Sequence, residues 1–126
     1  MKNDAQRMPH SAEADAAEVR QFEEAHRRIV TQRLFLDPDF SRDRFVRLVL
    51  LNKNRAARVL RRCAGTNFYG YLGRLRLAYA VELMTRCPDA PMKAIAADSG
   101  FRTVRAFYRT FRGRYGMTPG EYRKKL

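Results

Sequence analysis

Apolar residues recur along this chain at spacings of three and four, and no stretch alternates in the manner of a half-buried strand. Between Glu18 and Leu34, the residues Val19, Phe22, His26, Ile29, Val30 and Leu34 mark one amphipathic helix. Leu36-Asp37-Pro38-Asp39-Phe40 ends it, because Pro38 disfavours helical backbone at Asp37. Ahead of it, Met1 to Ala17 is polar, small and unpatterned, and reads as a mobile tail.

The remaining helices announce their ends. Ser41 is an N-cap, with Asp43 in the first turn of a short helix carrying Phe45, Val46, Leu48 and Val49. Asn52 caps a second helix that runs through Arg62 and closes at Gly65. Asn67 opens the longest predicted helix, to about Arg86, with Phe68, Tyr71, Leu72, Leu75, Ala78, Tyr79, Leu83 and Met84 as its apolar positions. Gly70 and Gly73 weaken it by about 1 kcal/mol each, so packing must hold its first turns. Pro88 stops it, and Pro91 suits the N1 position of a short helix to Asp98. After a turn at Gly100-Phe101, Thr103 caps a helix from Val104 to Tyr115, and Thr118 caps a last one from Pro119. The expected fold class is all-α, with about seven helices.

Two stretches repeat one plan. A short helix (Arg42 to Val49), a tight connection and the helix after Asn52 match a second short helix (Met92 to Asp98), its turn and the helix after Thr103. Setting Leu60 against Phe111 places Ala56 on Phe107, Arg58 on Arg109, Asn54 on Arg105 and Asn52 on Thr103. This is the pattern of two helix-turn-helix units, in which the second helix of each enters the major groove. Asn54 and Arg58, like Arg105 and Arg109, are four residues apart and share a helix face. Ala56 and Leu60, or Phe107 and Phe111, point the other way, toward a core. The predicted connector, 19 residues from Asn67 to Thr85, would be a rod of about 28 Å. Successive major-groove faces lie about 34 Å apart, so one monomer has the reach to use both units.

Charge narrows the partner. The 126 residues carry 26 Lys plus Arg against 13 Asp plus Glu, a net +13, and 21 of the cations are Arg. Residues 1–40 hold 6 basic and 8 acidic side chains, whereas residues 41–126 hold 20 and 5. The excess therefore falls on the paired units and calls for a polyanion. No apolar run is long enough to span a membrane, and the N-terminus, Met1-Lys2-Asn3-Asp4, lacks the apolar core of a signal peptide, so a cytoplasmic location is the default. Cys63 and Cys87 form no CxxC pair and stand far from His10 and His26, so no metal site is expected and both thiols read as reduced and partly buried. Ser11, Ser41 and Ser99 sit in no nucleophile elbow, and no phosphate-binding loop is present, so nothing argues for an enzyme or a cofactor.

Residues from about Ser41 to Lys124 resemble the DNA-binding domain of the AraC/XylS transcription regulators. The resemblance rests on Ile95-Ala96-Ala97-Asp98-Ser99-Gly100-Phe101, on Phe107-Tyr108-Arg109-Thr110-Phe111-Arg112, and on Gly116-Met117-Thr118-Pro119-Gly120-Glu121-Tyr122-Arg123-Lys124. The run Phe68, Tyr71-Leu72, Arg76-Leu77, Ala80 and Leu83 is similar to the family's connecting helix. The sequence departs from the family at Leu50, near the first turn, where many relatives carry Gly, and its first turn is a residue shorter than the second.

The resemblance implies two helix-turn-helix subdomains, homeodomain-like, over residues 41–66 and 88–126, joined by a linker helix over 67–87. Residues 18–40 would form an N-terminal helix and connection. It further implies base contacts from Asn54, Arg58, Arg105 and Arg109, with Ala57, Val104, Ala106 and Tyr108 beside them. Asn52, Lys53, Arg55, Arg61, Arg62, Arg102, Thr103, Arg112 and Arg114 become the phosphate candidates, which position the protein without specifying sequence. Double-stranded DNA is the implied partner, and RNA polymerase a further one if the protein activates. Most relatives also carry a sensing or receiver domain. About 40 residues precede the domain here, so the chain reads either as a short stand-alone regulator or as a piece of a longer one.

Two other readings use the same features. The basic face would track phosphates alone in a nonspecific nucleic-acid binder, or Glu18 to Leu34 would dock on a protein partner. Against the second stands the simpler expectation that Val19, Phe22, Ile29 and Val30 cover the first subdomain.

Overall fold

A computed structural model describes residues 2–126, with side chains from residue 12 onward. Among the described residues there are seven α-helices and one 3₁₀ turn, with no strand. The helices are α1 (Lys2–Thr31), α2 (Arg42–Val49), α3 (Lys53–Ala64), α4 (Phe68–Arg86), α5 (Met92–Asp98), α6 (Val104–Tyr115) and α7 (Pro119–Lys124). The 3₁₀ turn, Leu34–Leu36, joins α1 to α2.

The caps read from sequence are formed. Ser41, Asn52, Asn67, Thr103 and Thr118 each accept a hydrogen bond from the backbone N–H three residues on, satisfying a donor that the helix itself leaves orphaned. Thr118 and Glu121 complete a reciprocal capping box. Pro91 is instead the N-cap of α5 rather than its first helical residue, because its extended backbone (ψ 147) lies outside the helix.

The start of the chain differs from the sequence expectation. Residues 2–17 lie in α1 and are not an irregular tail, while Met1 is outside the described residues. An alanine-rich stretch (Ala12, Ala14, Ala16, Ala17) has high helix propensity, and Asp15 and Glu18 anchor it by ion pairs to α3. The helix ends at Thr31 instead of Leu34, because Arg33 adopts left-handed backbone (φ 56) and turns the chain. At 30 residues, α1 also exceeds the 19-residue α4 that was expected to be longest.

Two cores stand side by side. The first gathers Phe22, Ala25 and Ile29 of α1 with Phe35, Phe40, Phe45, Val49, Ala56, Val59, Leu60 and the start of α4. Here α1 covers the first unit, as the simpler expectation held, except that Val30 is exposed. His26 Nδ1 lies 2.6 Å from the Tyr71 hydroxyl, a polar link across this layer that joins α1 to α4. The second core holds Ile95, Ala96, Phe101, Phe107 and Phe111 with the end of α4.

α4 serves both cores with different faces. Phe68, Tyr71 and Leu72 enter the first, and Leu77, Ala80 and Met84 enter the second. At about 100° per residue, the five-residue step from Leu72 to Leu77 turns the buried side to nearly the opposite face. A single apolar stripe therefore misreads this helix: Ala78 is exposed, while Leu77 and Ala80 are buried.

The connection between α1 and α2 ties the halves together. Arg76 of α4 donates through Nε to the Phe35 carbonyl at 2.7 Å and through its guanidinium to the Asp37 carbonyl at 2.8 Å. Its guanidinium carbon also lies 5.9 Å from the centre of the Phe101 ring in the second unit. Asp39 pairs with Arg102 across the same seam. Gly100 fits there because its backbone is left-handed (φ 92) and a Cβ would meet the Phe35 carbonyl oxygen at 2.8 Å.

Candidate nucleic-acid interface

α3 and α6 are built alike. Each has 12 residues and ends at a left-handed glycine, Gly65 or Gly116, both at φ 71. Each buries the matched pair expected from the repeat, Ala56 and Leu60 in α3, Phe107 and Phe111 in α6. The register drawn from sequence is the register of the fold.

Opposite those buried rows, the four residues expected to read bases, Asn54, Arg58, Arg105 and Arg109, are all exposed. Ala57 shares the open face of α3. Val104, Ala106 and Tyr108 are only partly exposed and pack against the second core, so they flank the open face of α6 and do not crown it. Asn52 and Thr103 cap their helices, which leaves the Asn52 amide N–H and the Thr103 hydroxyl to donate outward.

The phosphate candidates divide into two groups. Lys53, Arg61, Arg112 and Arg114 are exposed and, among the described residues, make no salt bridge. Arg55, Arg62 and Arg102 are engaged. Arg55 Nε lies 2.7 Å from a Glu18 carboxylate oxygen, Arg62 lies 3.0 Å from Asp15, and Arg102 pairs with Asp39. Their acids stand 37 to 63 positions away in the chain, so no local pattern in the sequence reveals them.

One further cation belongs with the first group. Between α2, α3 and the start of α4 lies a cleft of about 180 Å³, whose lining includes Arg42, Lys53, Arg61, Asn67 and Tyr69, with no acid. Arg42 opens α2 and was not anticipated. Its signal was available in the sequence, as a basic residue directly after an N-cap and aligned with nothing acidic.

Cys63 and Cys87 were expected to be partly buried. Both are exposed, against expectation, because each falls at the polar end of a helix and not on its buried row. Desolvation and the neighbouring Glu23 push the Cys63 thiol up from its ordinary pKa, with Arg62 opposing. No helix of the described residues is long and apolar enough to cross a membrane.

Comparison with known proteins matches this geometry. A family model described as a helix-turn-helix domain fits residues 46–125. A curated relative, the RCS-specific HTH-type transcriptional activator RclR of Escherichia coli (strain K12), is 33% identical over 70 residues, 56% of this chain. The aligned part is 24% of that relative's length, so the chain spans only a fraction of it. Among solved structures, the C-terminal domain of AraT, a response regulator from Geobacillus stearothermophilus, superposes with a TM-score of 0.74 at 23% identity, covering 84% of this chain and 85% of that one. The DNA-binding domain of AdpA, solved in complex with a target DNA, gives 0.73 at 20% identity, covering 82% and 90%.

Proposed function

Because this chain belongs to the AraC-type helix-turn-helix family, we propose that it regulates transcription by binding double-stranded DNA with sequence specificity. One monomer lays α3 and α6 into successive major grooves on one side of the duplex. The observation that carries this reading is the pair of matched helices, each with its buried row in a separate core and its polar row exposed, held apart by one helix of 19 residues. Such a helix is about 28 Å long, close to the roughly 34 Å groove repeat.

Within that arrangement the residues divide by chemistry. Arg58, Arg105 and Arg109 suit the O6/N7 edge of guanine, and Asn54 suits the N6/N7 edge of adenine. Arg42, Lys53, Arg61, Arg112 and Arg114 hold phosphates and set the register. The AdpA domain's structure with target DNA supports duplex DNA as the ligand, and the activator role of RclR supports activation, with RNA polymerase as the further partner.

The test is a pair of substitutions on a duplex recovered by selection and on a random duplex. Arg105→Ala is expected to relax preference at one base step by about 1–3 kcal/mol. Arg61→Ala should weaken all sequences alike and reduce the salt slope by about one. Identical behaviour of the two variants on both duplexes would mean that the protein tracks phosphates alone.

A further inference from the structure

α1 does more than cover the first core. Its acids meet basic residues of α3: Glu18 with Arg55 and Arg58, Asp15 with Arg62. Glu18 is the centre of this contact. Its side chain is only 5% exposed, and a buried carboxylate needs a cationic partner. One of its oxygens lies 2.7 Å from Arg55 Nε and 3.9 Å from an Arg58 terminal nitrogen.

Arg58 stands on the seam between two rows of α3. It shares the open face of Asn54, four residues back, and stays 66% exposed, yet it also reaches the α1 carboxylate. We propose that Glu18 is a positioning residue for base reading, a role that rests on the DNA-binding function above. It holds Arg55 on the α1 side and anchors the Arg58 guanidinium from behind. Reading guanine requires a planar, bidentate approach, so the direction in which the guanidinium faces matters as much as its charge. An anchored side chain also surrenders less rotamer freedom on binding. The second unit has no such device: among the described residues, Arg105 and Arg109 make no salt bridge. The first unit thus gives up part of its attraction for phosphate in return for a better-aimed arginine.

The experiment uses the full chain and a duplex recovered by selection, with every base step varied in turn. Glu18→Gln keeps the shape and removes the charge, and both arginines remain solvated, so the fold should persist. Preference at the step read by Arg58 is expected to fall about three- to tenfold. Preference at the step read by Arg109 should not change, and the salt slope should steepen by about one as guanidiniums are released to the phosphates. Arg55→Met provides a second route that leaves Glu18 in place: the carboxylate then draws Arg58 toward α1, and preference at the same step falls. The proposal is overturned if preference at the Arg58 step survives both variants. Equal losses at the Arg58 and Arg109 steps, with a lower melting temperature, would also overturn it, since that is how a merely structural residue behaves. A parent chain that shows no base preference would instead remove the DNA-reading function itself, and this role with it.

Discussion

The recognition helices of the two units share a side-chain cap, a length of 12 residues and a buried row, but the units differ at the turn and in what surrounds those helices. In the first unit Leu50 takes the left-handed position (φ 60) and is 77% exposed. Only Leu50 and Leu51 separate α2 from its partner's cap, and Gln21 of α1 donates to the Val49 and Leu50 carbonyls at 3.3 Å each. In the second unit Gly100 takes that position, buried against the connection and Arg76, with Ser99 to Arg102 preceding the cap. A left-handed residue can be bulky where it meets solvent, whereas one pressed against backbone has to be glycine. The first turn is braced by another helix, and the second by its own close fit.

The largest expected effect tests that contrast directly. Gly100→Ala forces a Cβ onto the Phe35 carbonyl and strains the backbone, and should destabilise the fold by about 2–4 kcal/mol in denaturant melts. A loss below half a kcal/mol would mean that the seam between the halves is loose. Leu50→Gly should act in the opposite direction. Relief of the left-handed conformation outweighs the added freedom of the unfolded chain, so a gain of about 1 kcal/mol or less is expected in the same melts. A clear loss would show that the exposed leucine makes a contact worth keeping.

The smallest effect concerns α7, the closing helix, which packs on the second unit. Thr118 bonds to Glu121 through its backbone N–H and its hydroxyl, and holds that carboxyl below its ordinary 4.5. A group whose folded pKa is lowered stabilises the fold above its unfolded value and loses that contribution as pH falls through the folded one. Carbon-detected NMR titration of Glu121 should therefore give a midpoint below 4.5, moving back up in Thr118→Ala. A midpoint at or above 4.5 would mean that the box does not form in solution.

What the sequence made legible was local. Caps, glycine stops and the offset of 51 between Asn52 and Thr103 lie within short windows, and these place both recognition helices and their exposed arginines. Three features escaped because their causes are distant. The two-faced packing of α4 depends on a second core that no single periodicity describes. The helical start of α1 depends on Asp15 and Glu18 finding α3, in the case of Glu18 and Arg55 across 37 positions. For the same reason Arg55, Arg62 and Arg102 look like any other exposed cation until the acids that hold them are seen in space.

The central claim is that one monomer reads two sites, one with each unit. Selection of bound duplexes from a random pool with this chain tests it most directly. The account predicts an asymmetric motif of two blocks about one helical turn apart, with the two blocks differing in sequence as Asn54 and Arg58 differ from Arg105 and Arg109. A palindrome, meaning that two copies each present the same unit, or no enriched motif at all, would contradict it.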